Sequence, residues 1–285
     1  MTSTILTLPA PAKLNLFLHI VGRRQDGYHE LQTIFQILDL CDTMQFQKKE
    51  NSGLTFRCSD PALETDDNLV IRAVRALEEI SEQTLNVDIY LDKKLPLGGG
   101  IGGGSSDCAT TLLALNHLFD LRLATQQLLM LGKALGADVP VFIHGRTTWA
   151  EGIGEKLTDI ELPDAHYVLV HPNEHVSTAA LFNHPELTRD TPLSTIRPAL
   201  AETGRNDFEQ LIRKLYPSID QAFQNCRQFG SPRLTGTGAC FFIQVPDESA
   251  ARESAETIQQ QFPSLTTWAT RSVSVSTVFQ QLSNR

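Results

Sequence analysis

The sequence predicts an α+β protein of two domains, and three observations carry that prediction. The strands legible in the first half, residues 12–20 and 87–92, alternate apolar and polar positions. Each therefore has one face that is wet or lines a site, unlike a strand buried on both sides. The second half alternates short strands and helices in the manner of a split β-α-β unit. A length of 285 residues is enough for two such domains.

Residues 12–20, AKLNLFLHI, place Leu14, Leu16, Leu18 and Ile20 on one face, expected to meet a core. Lys13, Asn15, Phe17 and His19 share the other face. Lys13 and Asn15 then point the same way, about 7 Å apart. That face is either solvated or lines a site. An Asp26-Gly27 turn follows, with Arg23 and Arg24 before it. Tyr28 and His29 open the apolar stretch 31–40. An aromatic ring beside an imidazole can stack on and hydrogen-bond a base, or simply pack locally.

Asp66-Asp67-Asn68 precedes Leu69, Ala73, Leu77 and Ile80, a capped amphipathic helix. The strand 87–92, VDIYLD, leads into LPLGGGIGGGSSDCA at residues 95–109, which contains six glycines. Successive glycines let backbone N–H groups turn inward and approach a ligand closely. Ser105, Ser106 and Asp107 suit a helix start, and Ala109, Leu112, Leu113 and Asn116 continue one helical face. A glycine loop feeding a helix N-terminus attracts anions through free N–H groups and the helix dipole. No Lys follows Gly104, so this is not a P-loop. The alternating strand before it speaks against a dinucleotide fingerprint. A flexible linker would not run at once into a strong helix. The segment thus reads as a phosphate cradle.

A helix is expected over 125–135, ending at Gly136. Asp138 then sits before a residue that Pro140 restricts, at a junction between elements. Taken alone, such an Asp reads as a turn or cap residue. GRTTWAEGIGE, 145–155, is turn-rich and closes the first domain. YVLVH, 167–171, starts the second domain as a buried strand. Helices follow at 178–182 and from Phe208 to Leu215, the latter introduced by Asn206-Asp207. A second glycine turn, LTGTGA at 234–239, feeds the strand 240–243. A helix over 248–262 and a last strand over 266–275 complete the reading.

The chain is 41% hydrophobic and 20% charged, as a soluble globular protein should be. Its net charge of −9 argues against nucleic-acid or membrane-surface partners. An anionic ligand must therefore meet a local positive site. Five cysteines without CxxC spacing read as reduced thiols in a cytoplasmic protein. No charged leader with an apolar segment opens the chain, and no apolar run approaches membrane-span length.

Four segments together resemble the galactokinase, homoserine kinase, mevalonate kinase and phosphomevalonate kinase (GHMP) group of small-molecule kinases. They are PAKLNLFLHIVGRRQDGYHEL (11–31), LPLGGGIGGGSSD (95–107), GADVPVF (136–142) and LTGTGAC (234–240). GRTTWAEGIGEKL (145–157) and NDFE (206–209) also match. The resemblance implies a ribosomal-protein-S5-like N-terminal domain, 1–155, and a ferredoxin-like C-terminal domain, 156–285. The site would lie in the cleft between them, and the last residues would pack back on the first domain. The implied reaction moves the γ-phosphate of ATP to the 2-hydroxyl of a methylerythritol unit joined to cytidine diphosphate, on the route to isoprenoid precursors. Pro96, Leu97, Gly98, Gly99, Gly100, Ile101, Gly102, Gly103, Gly104, Ser105 and Ser106 would wrap the ATP phosphates. Asp138 would be the general base and Lys13 its electrostatic partner. Asn15, Tyr28, His29 and Phe182 would hold the substrate, with Tyr28 and Phe182 flanking the cytosine ring and His29 bonding its edge. Mg²⁺ is expected to accompany ATP, with no residue assigned to it. Ile101 and Asp107 depart from the family pattern, and Asp107 near phosphates would have to cap the helix or help hold the metal. A monomer or a homodimer fits equally. The motifs also leave open a kinase of another small alcohol and a catalytically silent relative.

Overall fold

A computed structural model describes residues 5–50, 53–195 and 204–283. β1 (Leu6–Arg23) and β2 (His29–Lys48) form a long antiparallel hairpin. β2 is long enough to serve three neighbours. It pairs with β1 along its length, with β4 (Val87–Asp92) near its end and with β5 (Thr148–Gly152) near its start. β3 (Leu54–Cys58) lies parallel to β4, and β6 (Lys156–Asp159) lies beside β5, which completes a six-stranded sheet. Four helices pack on it: α1 (Leu69–Ser81), α2 (Gly103–Leu118), α3 (Thr125–Leu135) and α4 (Val139–His144). Their shared core includes Leu8, Ile37, Val74, Leu77, Leu112 and Phe142. The Asn68 side chain caps α1 by accepting from the Val70 amide at 2.9 Å.

The second sheet has the order β10–β7–β9–β8, all antiparallel. Its strands are β7 (His166–His171), β8 (Arg233–Leu234), β9 (Phe241–Val245) and β10 (Thr266–Arg271). α5 (Thr178–Phe182), α6 (Glu209–Leu215), α7 (Pro217–Cys226) and α8 (Glu248–Gln261) accompany it. α9 (Thr277–Ser283) returns to the first sheet and buries Val278 in that core. Between the sheets lies a layer in which Ala12, Leu14 and Leu38 meet Tyr167, Leu169 and Phe242. Among the described residues no helix is long and apolar enough to cross a membrane, and all five cysteines are free.

β1 differs from its expectation in an informative way. Neither of its faces is solvated: Lys13, Asn15, Phe17 and His19 are as buried as Leu14 and Ile20. One edge pairs with β2, and the other is used by the second half of the chain. The Leu18 amide donates to Arg205 O at 3.1 Å, the Ile20 amide to Asp207 Oδ2 at 2.7 Å and the Asn15 amide to Thr235 Oγ1 at 2.9 Å. Register shifts between Pro11 and Lys13 and between Asn15 and Leu18 bracket the polar pair. Such bulges re-aim side chains, and here they turn Lys13 and Asn15 toward a common cleft.

Two further expectations are corrected. The last strand ends at Arg271, and the chain turns into α9 instead of continuing to residue 275. α2 starts at Gly103 with Gly102 as N-cap, so Ser105, Ser106 and Asp107 lie inside the helix and cap nothing. Asp107 is instead part of a buried triad. Lys93 Nζ stands 2.8 Å from Asp107 Oδ2 and 2.5 Å from Asp42 Oδ2. Asp42 also accepts the Lys94 and Leu95 amides.

Burial is the largest influence on the Asp107 carboxyl and pushes it up, to about 7, against the pull of Lys93. The folded chain thus holds a proton that the unfolded chain releases near 3.8. Between those values the native state binds more protons, so this group's contribution to stability falls as pH rises from about 4 to about 7. Asp107→Asn is expected to flatten that stretch of the stability–pH curve in urea melts. An unchanged slope would remove Asp107 as its source.

Candidate active site

The site begins with Lys13. Its ammonium is 2% exposed and reaches three acceptors: Asn15 Oδ1 at 2.5 Å, Gly100 O at 3.1 Å and Asp138 Oδ2 at 3.2 Å. It also lies over the Phe35 ring, 5.2 Å from the centroid. An ammonium has three protons, so its capacity is filled. Asn15 Nδ2 donates to Thr33 Oγ1 at 2.9 Å, and Thr33 in turn donates to Phe17 O. This relay fixes which end of the Asn15 amide faces the lysine.

Asp138 sits at the N-cap position of α4, yet its side chain makes no capping bond. α3 and α4 approach closely at Gly132, where an added Cβ would come within 2.6 Å of Ile143 and 2.9 Å of Val139. That contact sets where α4 begins and so where the carboxylate stands. With 35% of its side chain exposed, Asp138 is held by Lys13 and still faces the cleft.

The glycine loop passes behind Lys13. Its carbonyls are used inward: Gly98 O and Gly99 O accept the Ala239 and Cys240 amides, and Ile101 O accepts the Lys13 amide. Among the described residues, the amides of 100–105 donate to no protein acceptor. They are free for an anion, beside the start of α2. Gly100 has φ +71, and a Cβ there would lie 2.4 Å from Thr235 O. Only glycine allows the two glycine turns to interlock so closely.

These parts border one cleft of about 680 Å³. Lys13, Asn15, Tyr28, His29, Asp138, Phe182, Gly98, Gly100 and Ser105 all line it. The other loop residues do not. Pro96 and Leu97 face a separate cavity of about 400 Å³ with His171 and His175. Gly99 abuts Cys240, Gly102 abuts Phe142, Gly103 abuts Lys93, and Gly104 has open space beside it. Ile101 and Ser106 are buried.

At the far end of the cleft Tyr28 is 58% exposed, whereas His29 is buried. The His29 and Phe182 rings lie 5.0 Å apart, and Phe182 meets Phe208 edge-on. Burial, then Arg189 and Arg23, lower the His29 pKa, so the ring is neutral near pH 7. Side chains that were not assigned to the site from the sequence complete it. Arg189 donates to His29 Nε2 at 3.1 Å and to Phe182 O at 2.8 Å. Thr178 and Thr237 share a hydrogen bond at the cleft wall. The LTGTGAC segment was the available signal for Thr237. Arg189 lies in a loop without regular spacing and gave none.

Among the described residues, no group of three or more His, Cys, Asp or Glu is placed to hold a metal ion. Asp107 faces Lys93 and is buried, so it does not offer a ligand toward the cleft. The described residues alone do not build a magnesium cage.

Comparison with known proteins gives the family and the fold. Residues 68–146 match the family model for the GHMP kinases N terminal domain, and residues 186–264 that for the GHMP kinases C terminal. A 4-diphosphocytidyl-2-C-methyl-D-erythritol kinase of Marinobacter nauticus is 53% identical over 254 residues, which is 87% of this chain and 88% of the relative. One of the same name from Pseudomonas paraeruginosa is 51% identical over 246 residues, 86% of this chain and 87% of the relative. The crystal structure of a 4-(cytidine 5'-diphospho)-2C-methyl-D-erythritol kinase superposes with a TM-score of 0.78 at 33% identity, covering 94% of this chain and 99% of that one. A mevalonate kinase, at 16% identity and a TM-score of 0.69, shares the fold.

Proposed function

The chain belongs to the 4-diphosphocytidyl-2-C-methyl-D-erythritol kinases of the GHMP family, and from that premise we propose its substrate and the roles of its residues. It is an ATP-dependent phosphotransferase of small molecules. Its acceptor is cytidine-diphosphate-linked methylerythritol, phosphorylated at the 2-hydroxyl for isoprenoid-precursor synthesis in the cytoplasm. The observation that carries this reading is the Lys13–Asp138 pair, 3.2 Å apart, in a cleft that also holds Tyr28, His29 and Phe182.

Asp138 takes the proton as the 2-hydroxyl oxygen attacks the γ-phosphorus, and ADP leaves with the electrons of the broken P–O bond. Lys13 steadies charge on the migrating phosphoryl group and orients Asp138. The free amides of the loop 96–106 cradle the phosphates of ATP. Mg²⁺, when bound, neutralises phosphate charge. It usually rides on substrate phosphates and water with one or two carboxylates, which suits a site without a protein-built cage. Asn15 positions the acceptor, and Tyr28 and Phe182 flank the cytosine, with His29 at its edge. The division between an N-terminal domain, expected over 1–155, and a C-terminal domain, expected over 156–285, belongs to the same proposal, with β6 (Lys156–Asp159) counted in the first because it pairs with β5.

The test is coupled ADP release with cytidine-diphosphate-linked methylerythritol set against homoserine, mevalonate and galactose. Turnover confined to the first acceptor is expected. Preference for another alcohol, or ADP release that ignores the acceptor, would overturn the assignment. Tyr28→Ala is expected to raise the acceptor KM about tenfold to a hundredfold, the range for loss of an aromatic stacked on a base. The KM for ATP should stay within about twofold. Equal effects on both would remove Tyr28 from the base platform.

A further inference from the structure

Arg189 makes four hydrogen bonds from one guanidinium. Nε donates to His29 Nε2 at 3.1 Å, and one terminal nitrogen donates to Leu187 O at 3.0 Å. The other terminal nitrogen donates to Phe182 O and His184 O, both at 2.8 Å. This group ties the two rings at the far end of the cleft to a single anchor. Arginine has donors only and keeps its proton at any pH a protein survives. The proton in the Arg189–His29 contact therefore belongs to Arg189, and His29 Nε2 must accept. A neutral imidazole carries one N–H, so His29 carries it on Nδ1. An imidazolium would set two donors against each other, and the burial and neighbouring cations that lower the His29 pKa act in the same direction. Nδ1 has no partner among the described residues, and His29 lines the cleft.

We infer that Arg189 is a positioning residue that locks His29 in the Nδ1–H tautomer, so that the cleft presents a hydrogen-bond donor and selects a base with an acceptor at that place. The inference rests on the cytidine-linked acceptor proposed above. Cytosine offers an unprotonated N3. Uracil carries a proton at N3 and would oppose donor to donor. Selection of cytosine over uracil then comes from a residue that never touches the base. A buried donor left facing a donor is strongly rejected, since neither group recovers its lost water.

Two measurements test this. Long-range ¹H–¹⁵N spectra of the wild-type protein should show His29 neutral at pH 7, with Nδ1 protonated and Nε2 an unprotonated acceptor. Nε2–H or an imidazolium at His29 overturns the inference without any variant. The second measurement compares cytidine- and uridine-diphosphate-linked methylerythritol as acceptors for the wild type, Arg189→Ala and Arg189→Lys. The wild type should prefer the cytidine compound by about a hundredfold or more in kcat/KM, and Arg189→Ala by less than about tenfold, mostly through KM. Arg189→Lys should not restore the preference, because an ammonium is a point donor without the planar fork. A merely structural role would lower the activity of both compounds together and leave their ratio intact, which would also overturn the inference. If the wild type rejects both compounds in favour of another acceptor, the functional assignment fails, while the tautomer spectrum still decides the role of Arg189.

Discussion

Asp138→Asn should lower kcat about a hundredfold to ten-thousandfold, the range for loss of a general base. The reason is geometric. The carboxylate caps no helix and is held by Lys13 at 3.2 Å, so its remaining capacity faces the cleft. Asn keeps the shape and can still accept from Lys13, but it cannot take up the acceptor's proton. Binding of the acceptor should therefore change little, and the loss should fall on kcat. Thermal stability should fall too, because Asn leaves the buried Lys13 ammonium without its counter-charge. Initial rates of ADP release and a melting curve check both statements. Turnover near the wild-type rate would take the base role from Asp138 and with it the mechanism.

Lys13→Met should lower kcat about a hundredfold to a thousandfold, as expected when a preorganised charge aimed at the transition state is removed. Here stability falls as well. Met leaves Asn15 Oδ1 and Gly100 O without their donor in a buried setting, at a cost of about 1–3 kcal/mol. Lys13→Arg should not rescue activity. An added Cβ at Gly102 would already lie 3.2 Å from Lys13 Cε, so the space will not admit a guanidinium in place of the ammonium. The double variant Lys13→Met with Asp138→Asn should be little slower than the worse single variant, because the two groups act as one unit. Full additivity of the two losses would show that they serve separate steps.

Much of the fold was legible because its signals are local. α1 announced itself through Asn68, and α3 through its apolar spacing and Gly136. β4 was plain in its alternation. The failures share one cause, which is tertiary context. β1 begins at Leu6, before the segment 12–20 that its alternation marked. Pro140 marked a junction between elements, but not that it sits in the first turn of α4, where a missing amide proton costs nothing. Lys13 and Asn15 could be placed on one face, but whether water or a site met that face depended on residues 205–207 and 235. Asp107 resembled a cap until Lys93, on another element, claimed it. Arg189 was invisible because its four acceptors lie on β2, at the end of α5 and in the loop after it, a meeting that no local spacing encodes.

The sewn outer edge of β1 bears on how the molecule comes into being. Asn15 and Thr235, which bond to each other, are 220 positions apart, and Ile20 and Asp207 are 187 apart. During synthesis the strand bearing Lys13 emerges 187 to 220 residues before the groups that finish its rim. Until then the nascent chain carries a half-zipped ribbon with open amides, and long-range closures of this kind are the slow part of folding. Phosphorylating ability should thus switch on in one late event during synthesis, not accumulate as the chain lengthens.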